Sequence, residues 1–460
     1  MMYEVSTDTK RVHKQKILED FKTFLRFPTI SSDSTKKKAI QYCAQWLSNH
    51  LKAIGLSKAM VYQTKQHPVV YAEYMVDPSL KTILFYGHYD VQPVSPVSNW
   101  KFPPFHPTIV DDHIYARGAS DDKGQMFVHI KAIEYVLQSK DSIRVNIKCL
   151  FEGEEEIGSP HLFSFMHDNK HLLRCDVAVV SDTKMLSANE PAITYSLRGS
   201  LNAEVVIKAA MNDLHSGTFG GMVNNPANVL SRLISNINDQ IGRIKIPGFY
   251  SDIIEEGPEE RIYMRATGPS DEALRHDAGI SGNWGEAGFS NYERTTIRPS
   301  VVVTTLQSGH IGEGCKNVLP AVAIAKINMR IVKGQQYKNI ALLFARFVKQ
   351  HIPPAISYQL KFSSGANPVE VSRSNPYLQA AARAYSKAFG CAPVFIRSGG
   401  TIPVVSLFHE QFKIPVVLMG FALASDNMHA PDERFYLPNL FRGIRTSIGF
   451  IKNVSMNKTQ

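Results

Sequence analysis

The sequence predicts an α/β protein in which a helix-flanked, mostly parallel sheet domain is interrupted by a smaller α+β domain. Three observations lead to this. Helical and strand patterns alternate over roughly the first 190 residues, the alternation is lost after Arg198-Gly199, and it resumes from about Asn367. Short apolar strands alternating with amphipathic helices build parallel sheets covered by helices. The expected divisions are 1–197, 198–366 and 367–460. A chain of 460 residues also exceeds one ordinary core, at roughly 100 to 200 residues per domain.

The elements follow in order. Helices are predicted near 10–26, 37–53 and 123–139, and apolar strands near 69–75, 82–86, 145–151 and 177–181. In the third helix Met126, Ile130, Ile133 and Leu137 recur at helical spacing, which places an apolar stripe against a sheet. Beyond Arg198, residues 201–207 read as a half-buried strand and 226–237 as a helix. Residues 268–292 are rich in Gly, Ser and Asn and carry no clear pattern. Strands at 300–305 and 323–331 and a helix at 337–351 complete the insert, and a helix at 377–389 and a strand at 415–419 return to the first pattern.

Composition narrows the class. Apolar content of 44%, charged content of 20% and 25 prolines describe a globular chain rather than a fibrous or disordered one. The five cysteines are scattered, odd in number and form no Cys-x-x-Cys, as expected of a reducing, cytoplasmic compartment. Residues 1–26 lack the apolar stretch of a signal peptide, and no segment offers eighteen apolar residues to a membrane. The net charge of +10 raises nucleic-acid binding. The basic residues are dispersed, however, and Lys36-Lys37-Lys38 opens a solvated helix face, so neither nucleic acid nor membrane is an expected partner. A positive field also favours small anionic substrates.

The chemistry gathers at strand ends. The run Thr82 to Tyr86 leads into Gly87-His88-Tyr89-Asp90, and alternation along an extended chain points His88 and Asp90 the same way. Alone, such a pair also suits a hydrogen-bonded core histidine. Arg117-Gly118-Ala119-Ser120-Asp121-Asp122 sets two carboxylates before a helix, where an N-cap would equally place one. The strand near 145–151 runs into Glu152-Gly153-Glu154-Glu155-Glu156, the strand near 177–181 into Ser181-Asp182, and the strand at 415–419 toward Asp426-Asn427-Met428-His429. Crowded carboxylates repel unless a cation neutralises them. In open α/β sheets, ligands bind beyond the carboxyl ends of strands, where these groups converge.

In order and spacing, these motifs resemble the co-catalytic metallopeptidase family that includes cytosolic nonspecific dipeptidase, carnosinase, aminoacylase and bacterial glutamate carboxypeptidase. Ile193 to Gly199, Asp213-Leu214-His215-Ser216-Gly217 and Arg397-Ser398-Gly399-Gly400-Thr401 are similar to the dipeptidase and carnosinase branch. The resemblance implies a catalytic domain with an inserted lid and dimerisation domain. It also implies two divalent ions per subunit, zinc or manganese with cobalt as an alternative, about 3.5–4 Å apart. By resemblance His88 and Asp182 bind one ion, Glu156 and His429 the other, and Asp121 bridges both. Asp90 then orients His88, and Glu155 is the general base on a metal-activated water.

His215, supplied by the partner subunit of a homodimer, would stabilise the oxyanion. Arg330 would take the substrate's terminal carboxylate, with Asn317, Arg397, Gly400 and Thr401 lining the same subsite. Three positions depart from the dipeptidase branch: Ser398 stands for an acidic residue, Asn317 for a hydroxyl and Glu154 for an apolar residue. They leave the metal chemistry intact and loosen any tie to carnosine. The implied activity is hydrolysis of amide bonds in dipeptides or similar small carboxylate-bearing substrates. The alternatives are a deacylase of N-acyl amino acids and, from another class, a catalytically silent binding protein.

Overall fold

The computed structural model describes residues 7–139 and 143–456. The chain folds as two compact units, the first comprising residues up to Tyr195, Val371–Phe395 and the chain from Leu407 on, the second Ser196–Glu370 and Ile396–Ser406.

In the first unit the sheet runs in the order Lys58–Tyr62, Val69–Tyr74, Asn146–Glu152, Thr82–His88, Val177–Val180, Val416–Met419, Ala192–Leu197. The four strands from Asn146–Glu152 to Val416–Met419 pair in parallel, with antiparallel neighbours on either side. The parallel strands are buried throughout, which explains their unbroken apolar runs. The strand predicted at 82–86 extends through His88, because Gly87 and His88 pair in register with Phe151 and Glu152. His88 therefore sits on a rigid strand. Tyr86 and Leu418 both pair with Val180, so the four carboxyl ends share one edge of the sheet.

Helix Lys123–Gln138 packs against strand Thr82–His88 and is covered by helices Thr7–Leu25 and Leu437–Met456. Residues 123–134 are consequently all buried, where the sequence suggested a single stripe. The last helix, unread in the sequence, buries Leu440, Ile444, Ser447, Ile451 and Val454 on one face.

The second unit is an antiparallel sheet ordered Ser300–Ser308, Val322–Ile331, Gly199–Lys208, Ser357–Ala366. Leu201, Ala203, Val205 and Ile207 alternate with exposed or half-buried residues and pack with Val229, Leu233 and Phe344, from helices Pro226–Ser235 and Tyr337–His351, in one core. Within 268–292 lies the helix Asp271–Ala278, capped by Ser270. Residues 396–406, assigned from sequence to the last stretch of the first domain, cluster with this unit instead. The physical reason is Arg397, whose guanidinium is tied to carboxylates of the unit.

Candidate active site

At the carboxyl edge of the parallel strands, one aspartate is shared by two histidines. His88 Nε2 lies 3.1 Å from Asp121 Oδ1 and His429 Nε2 lies 2.8 Å from Asp121 Oδ2. Asp182, two residues beyond the strand Val177–Val180, joins His88 and Asp121 in a first set of ligand-capable atoms; Glu156 and His429 join Asp121 in a second, with every atom of a set within 4.8 Å of the others. His88 is fully buried, while the His429 side chain is 55% exposed.

Asp90 lies beneath this pair of sets. His88 Nδ1 is 3.2 Å from the Asp90 carbonyl and 3.5 Å from its Oδ1. The Asp90 carboxylate also accepts the backbone N–H groups of Glu155 and Glu156, each at 3.1 Å. Asp90 thus seats two neighbouring groups, more than the orientation of His88 that the sequence suggested. Glu156 Oε2 further accepts from Gln92 Nε2 at 2.7 Å.

Electrostatics show what this cluster lacks. Burial, reinforced by Asp182 and Glu156, pushes the Glu155 carboxyl well above its ordinary range. Burial and the neighbouring Asp121 likewise raise Glu156 to about 8 and Asp182 to about 6. Burial opposes a charged His88, yet Asp121 and Asp90 outweigh it and hold the ring well above its usual value. Anions crowded in a low-dielectric pocket retain protons unless a cation replaces them. Glu156 Oε1 is buried and has no hydrogen-bond partner. The donor set is imidazole and carboxylate without thiolate, suited to zinc, manganese or cobalt, so these residues fit a pair of divalent ions. Asp20, His50 and Glu134 also converge. There Lys131 Nζ already sits 2.6 Å from Asp20 Oδ2 and from Glu134 Oε2, supplying the charge itself.

The remaining expected site residues lie in the second unit. His215, exposed, ends the short strand Leu214–His215, which pairs with Val318–Leu319 beside Asn317. Its Nδ1 accepts the Gly217 N–H at 3.1 Å, so the ring proton of the neutral form resides on Nε2. Asn317 is exposed, and its backbone carbonyl accepts from Ser216 N–H at 3.1 Å. Arg330, half-buried, donates from Nη1 to Thr401 Oγ1 at 2.8 Å, and Thr401 Oγ1 donates to the Arg198 carbonyl at 2.6 Å. Thr401 therefore holds Arg330. The Gly400 N–H donates to Ser398 Oγ at 3.1 Å, part of the same turn. Arg397 departs from expectation: it is 4% exposed, with its guanidinium 3.1 Å from Glu256, 2.9 Å from Glu260 and 2.8 Å from Glu370. Its guanidinium is paired with three carboxylates of the same unit.

Residues 84–453 match the peptidase family M20/M25/M40. The chain belongs to that family. The human Beta-Ala-His dipeptidase is 30% identical over 396 residues, covering 83% of this chain and 76% of that protein. The Cys-Gly metallodipeptidase DUG1 of Candida albicans is 27% identical over 463 residues, 96% of each chain. Among solved structures, the M20 family metallo-carboxypeptidase Sso-CP2 from Sulfolobus solfataricus superposes with a TM-score of 0.89 at 32% identity, covering 96% of this chain and 99% of that one. Human carnosine dipeptidase 1 does so with a TM-score of 0.83 at 26% identity, covering 97% of each. As an M20 peptidase the chain is an enzyme that hydrolyses peptide bonds, which sets aside the reading as a silent binding protein.

Two further side chains of this M20 peptidase complete the picture, Glu433, which sequence reasoning passed over, and Glu154, to which it gave no structural role. Glu433, fully buried, accepts the N–H groups of Gly118, Ser120 and Asp121 and a donor from Arg117, all at 2.8–3.0 Å. Glu154, the departure from the dipeptidase pattern, is buried and accepts from His67 N–H at 2.8 Å while lying 2.9 Å from His161 Nδ1. It fastens neighbouring loops behind Glu155. The only local signal for Glu433 is its place four residues after His429.

Proposed function

We propose that this M20 peptidase is a metal-dependent dipeptidase, cleaving the amide bond of dipeptides or similar small carboxylate-bearing substrates. His88 and Asp182 would hold one divalent ion, Glu156 and His429 the other, and Asp121 both; zinc and manganese suit the donors best, and cobalt is compatible. Such ions lower the pKa of a water and polarise a carbonyl oxygen. The observation that carries the reading is the division of one carboxylate, Asp121, between His88 at 3.1 Å and His429 at 2.8 Å.

The residues then divide the work. Glu155 is the group of the cluster not needed as a ligand, and its backbone is pinned by Asp90. It takes the proton of the attacking water as oxygen bonds to the carbonyl carbon. The same proton passes to the leaving nitrogen as the C–N bond breaks. Asp90 keeps both Glu155 and His88 in place. His215, from the partner subunit of a homodimer, donates its Nε2–H to the developing oxyanion. Arg330 takes the substrate's carboxylate; among the described residues no carboxylate neutralises it, and Thr401 fixes its orientation. Asn317, beside His215, and the Gly400 turn line the same substrate. A cytoplasmic location accords with five free cysteines and with the lack, among the described residues, of any helix long and apolar enough to cross a membrane.

The experiment is hydrolysis of dipeptides, β-alanyl dipeptides and N-acyl amino acids after reconstitution with zinc or manganese. Release of amino acids from dipeptides supports the reading. Turnover of N-acyl amino acids alone would replace it with the deacylase.

A further inference from the structure

We infer that Glu433 is a positioning residue that sets the second ion's site by clamping the loop of Asp121 to the loop of His429. The inference rests on the two-ion reading above. Its basis is the set of cross-links between two segments more than 300 residues apart. Glu433 Oε1 accepts the N–H groups of Ser120 and Asp121 at 2.9 and 3.0 Å, and Oε2 accepts Gly118 N–H at 2.8 Å and Arg117 Nη1 at 2.9 Å. Every partner is a donor, so both oxygens must accept and an amide in their place would set N–H against N–H. A second link runs alongside: Ser120 Oγ donates to Asp426 Oδ2 at 2.7 Å. The Ala116 N–H also donates to the Glu433 carbonyl at 3.0 Å.

The His429 loop has a defined shape that the clamp joins to the Asp121 loop. Asn427, His429 and Asp432 all have positive φ, at 55°, 62° and 57°, a region that Asn, Asp and His enter more readily than other side chains. The two ion sites depend on the clamp unequally. His88 ends a buried strand and Asp182 stands two residues beyond the end of another, so the first set retains two ligands that the clamp does not touch. In the second set Asp121 and His429 sit on the two clamped loops, and their spacing of 2.8 Å is the quantity the clamp defines.

The test is stepwise titration of metal-stripped full-length protein with Co2+, counting bound ions by equilibrium dialysis and following the visible absorption of the bound ion. Wild type should bind two ions. Glu433→Gln should keep one at near wild-type affinity and bind the other at least tenfold more weakly, the usual range for losing a group that orients a metal ligand. Glu433→Asp, which keeps both acceptor oxygens but withdraws them by one methylene, should weaken that ion by a smaller factor and decides the matter if Glu433→Gln fails to fold. Two ions bound as in wild type by the folded variants would overturn the inference, as would equal weakening of both ions. Fewer than two ions on wild type would overturn the two-ion reading and the inference with it.

Discussion

The two units present the side chains proposed for function in opposite ways. In the first, His88, Asp90, Asp121 and Asp182 are buried or nearly so, and Glu155 and Glu156 are pinned through their backbones to Asp90. In the second, His215 and Asn317 are exposed and Arg330 is half-buried with a hydroxyl as partner. A centre that concentrates charge must be built before the ion arrives, because loose carboxylates would turn to solvent or keep their protons. Groups that meet a substrate or a second subunit need the reverse, a donor fixed at its base and free at its tip. His215, exposed and with Nδ1 occupied by the Gly217 N–H, has that form.

The contrast is open to test, beginning with the largest effect. Asp121→Ala should abolish uptake of both ions, not one, and activity with them; retention of a full single ion in dialysis would show that the carboxylate is not shared. His215→Ala should lower kcat by about 100- to 1000-fold, the range for loss of an oxyanion donor, with metal content unchanged. Mixed with Glu155→Gln subunits under demonstrated exchange, it should recover toward a quarter of wild-type activity. No recovery would place His215 outside a shared site. Arg330→Ala should reduce kcat/KM by about 100-fold on dipeptides with a free carboxylate, as expected for a charged hydrogen bond. It should have little effect on their amides, and equal losses on both would contradict the assignment.

The smallest effect concerns charge outside the centre. The first unit keeps His129 and His50 neutral: burial depresses His129 to about 3, and burial with Lys131 depresses His50 to about 4. Below about pH 6.5 the unfolded chain gains a proton at each that the folded chain refuses, so their contribution to stability falls as the pH drops toward 4. Replacing His50 by Gln removes one such group. The stability gap between wild type and His50→Gln should therefore narrow by about 1–2 kcal/mol from pH 7 to pH 5 in urea unfolding. An unchanged gap would show that His50 is free to ionise in the fold.

Much of the centre was legible because it lies where regular structure stops. His88 ends a strand, Glu155, Glu156 and Asp182 follow one, Asp121 precedes a helix and His429 lies in the loop beyond the last parallel strand, and apolar runs betray these elements. Glu433 was not legible, since its partners lie 312 to 316 positions away and nothing local distinguishes it from a solvated glutamate. The ion pairs of Arg397 were not legible for a related reason: the Arg-Ser-Gly-Gly-Thr stretch resembles a binding loop, but the carboxylates paired with its guanidinium, Glu256, Glu260 and Glu370, come from distant segments. The final helix could have been found. Leu440, Ile444, Ser447, Ile451 and Val454 recur at steps of four and three, with one polar member to blur the stripe. Helix Asp271–Ala278 lies within a glycine-rich stretch, where the Ser270 cap, Asp271 and Glu272 in the first turn, Arg275 and His276 in the last and Gly279 beyond it were the cues.

The central claim is that one buried cluster separates metal binding from proton transfer, with Glu155 serving only the second. Ion content and turnover measured together on wild type and Glu155→Gln test it most directly. Both proteins should carry two ions per chain, and the variant should lose at least about a thousandfold in kcat. A variant that loses an ion along with its activity would make Glu155 a ligand and contradict the account.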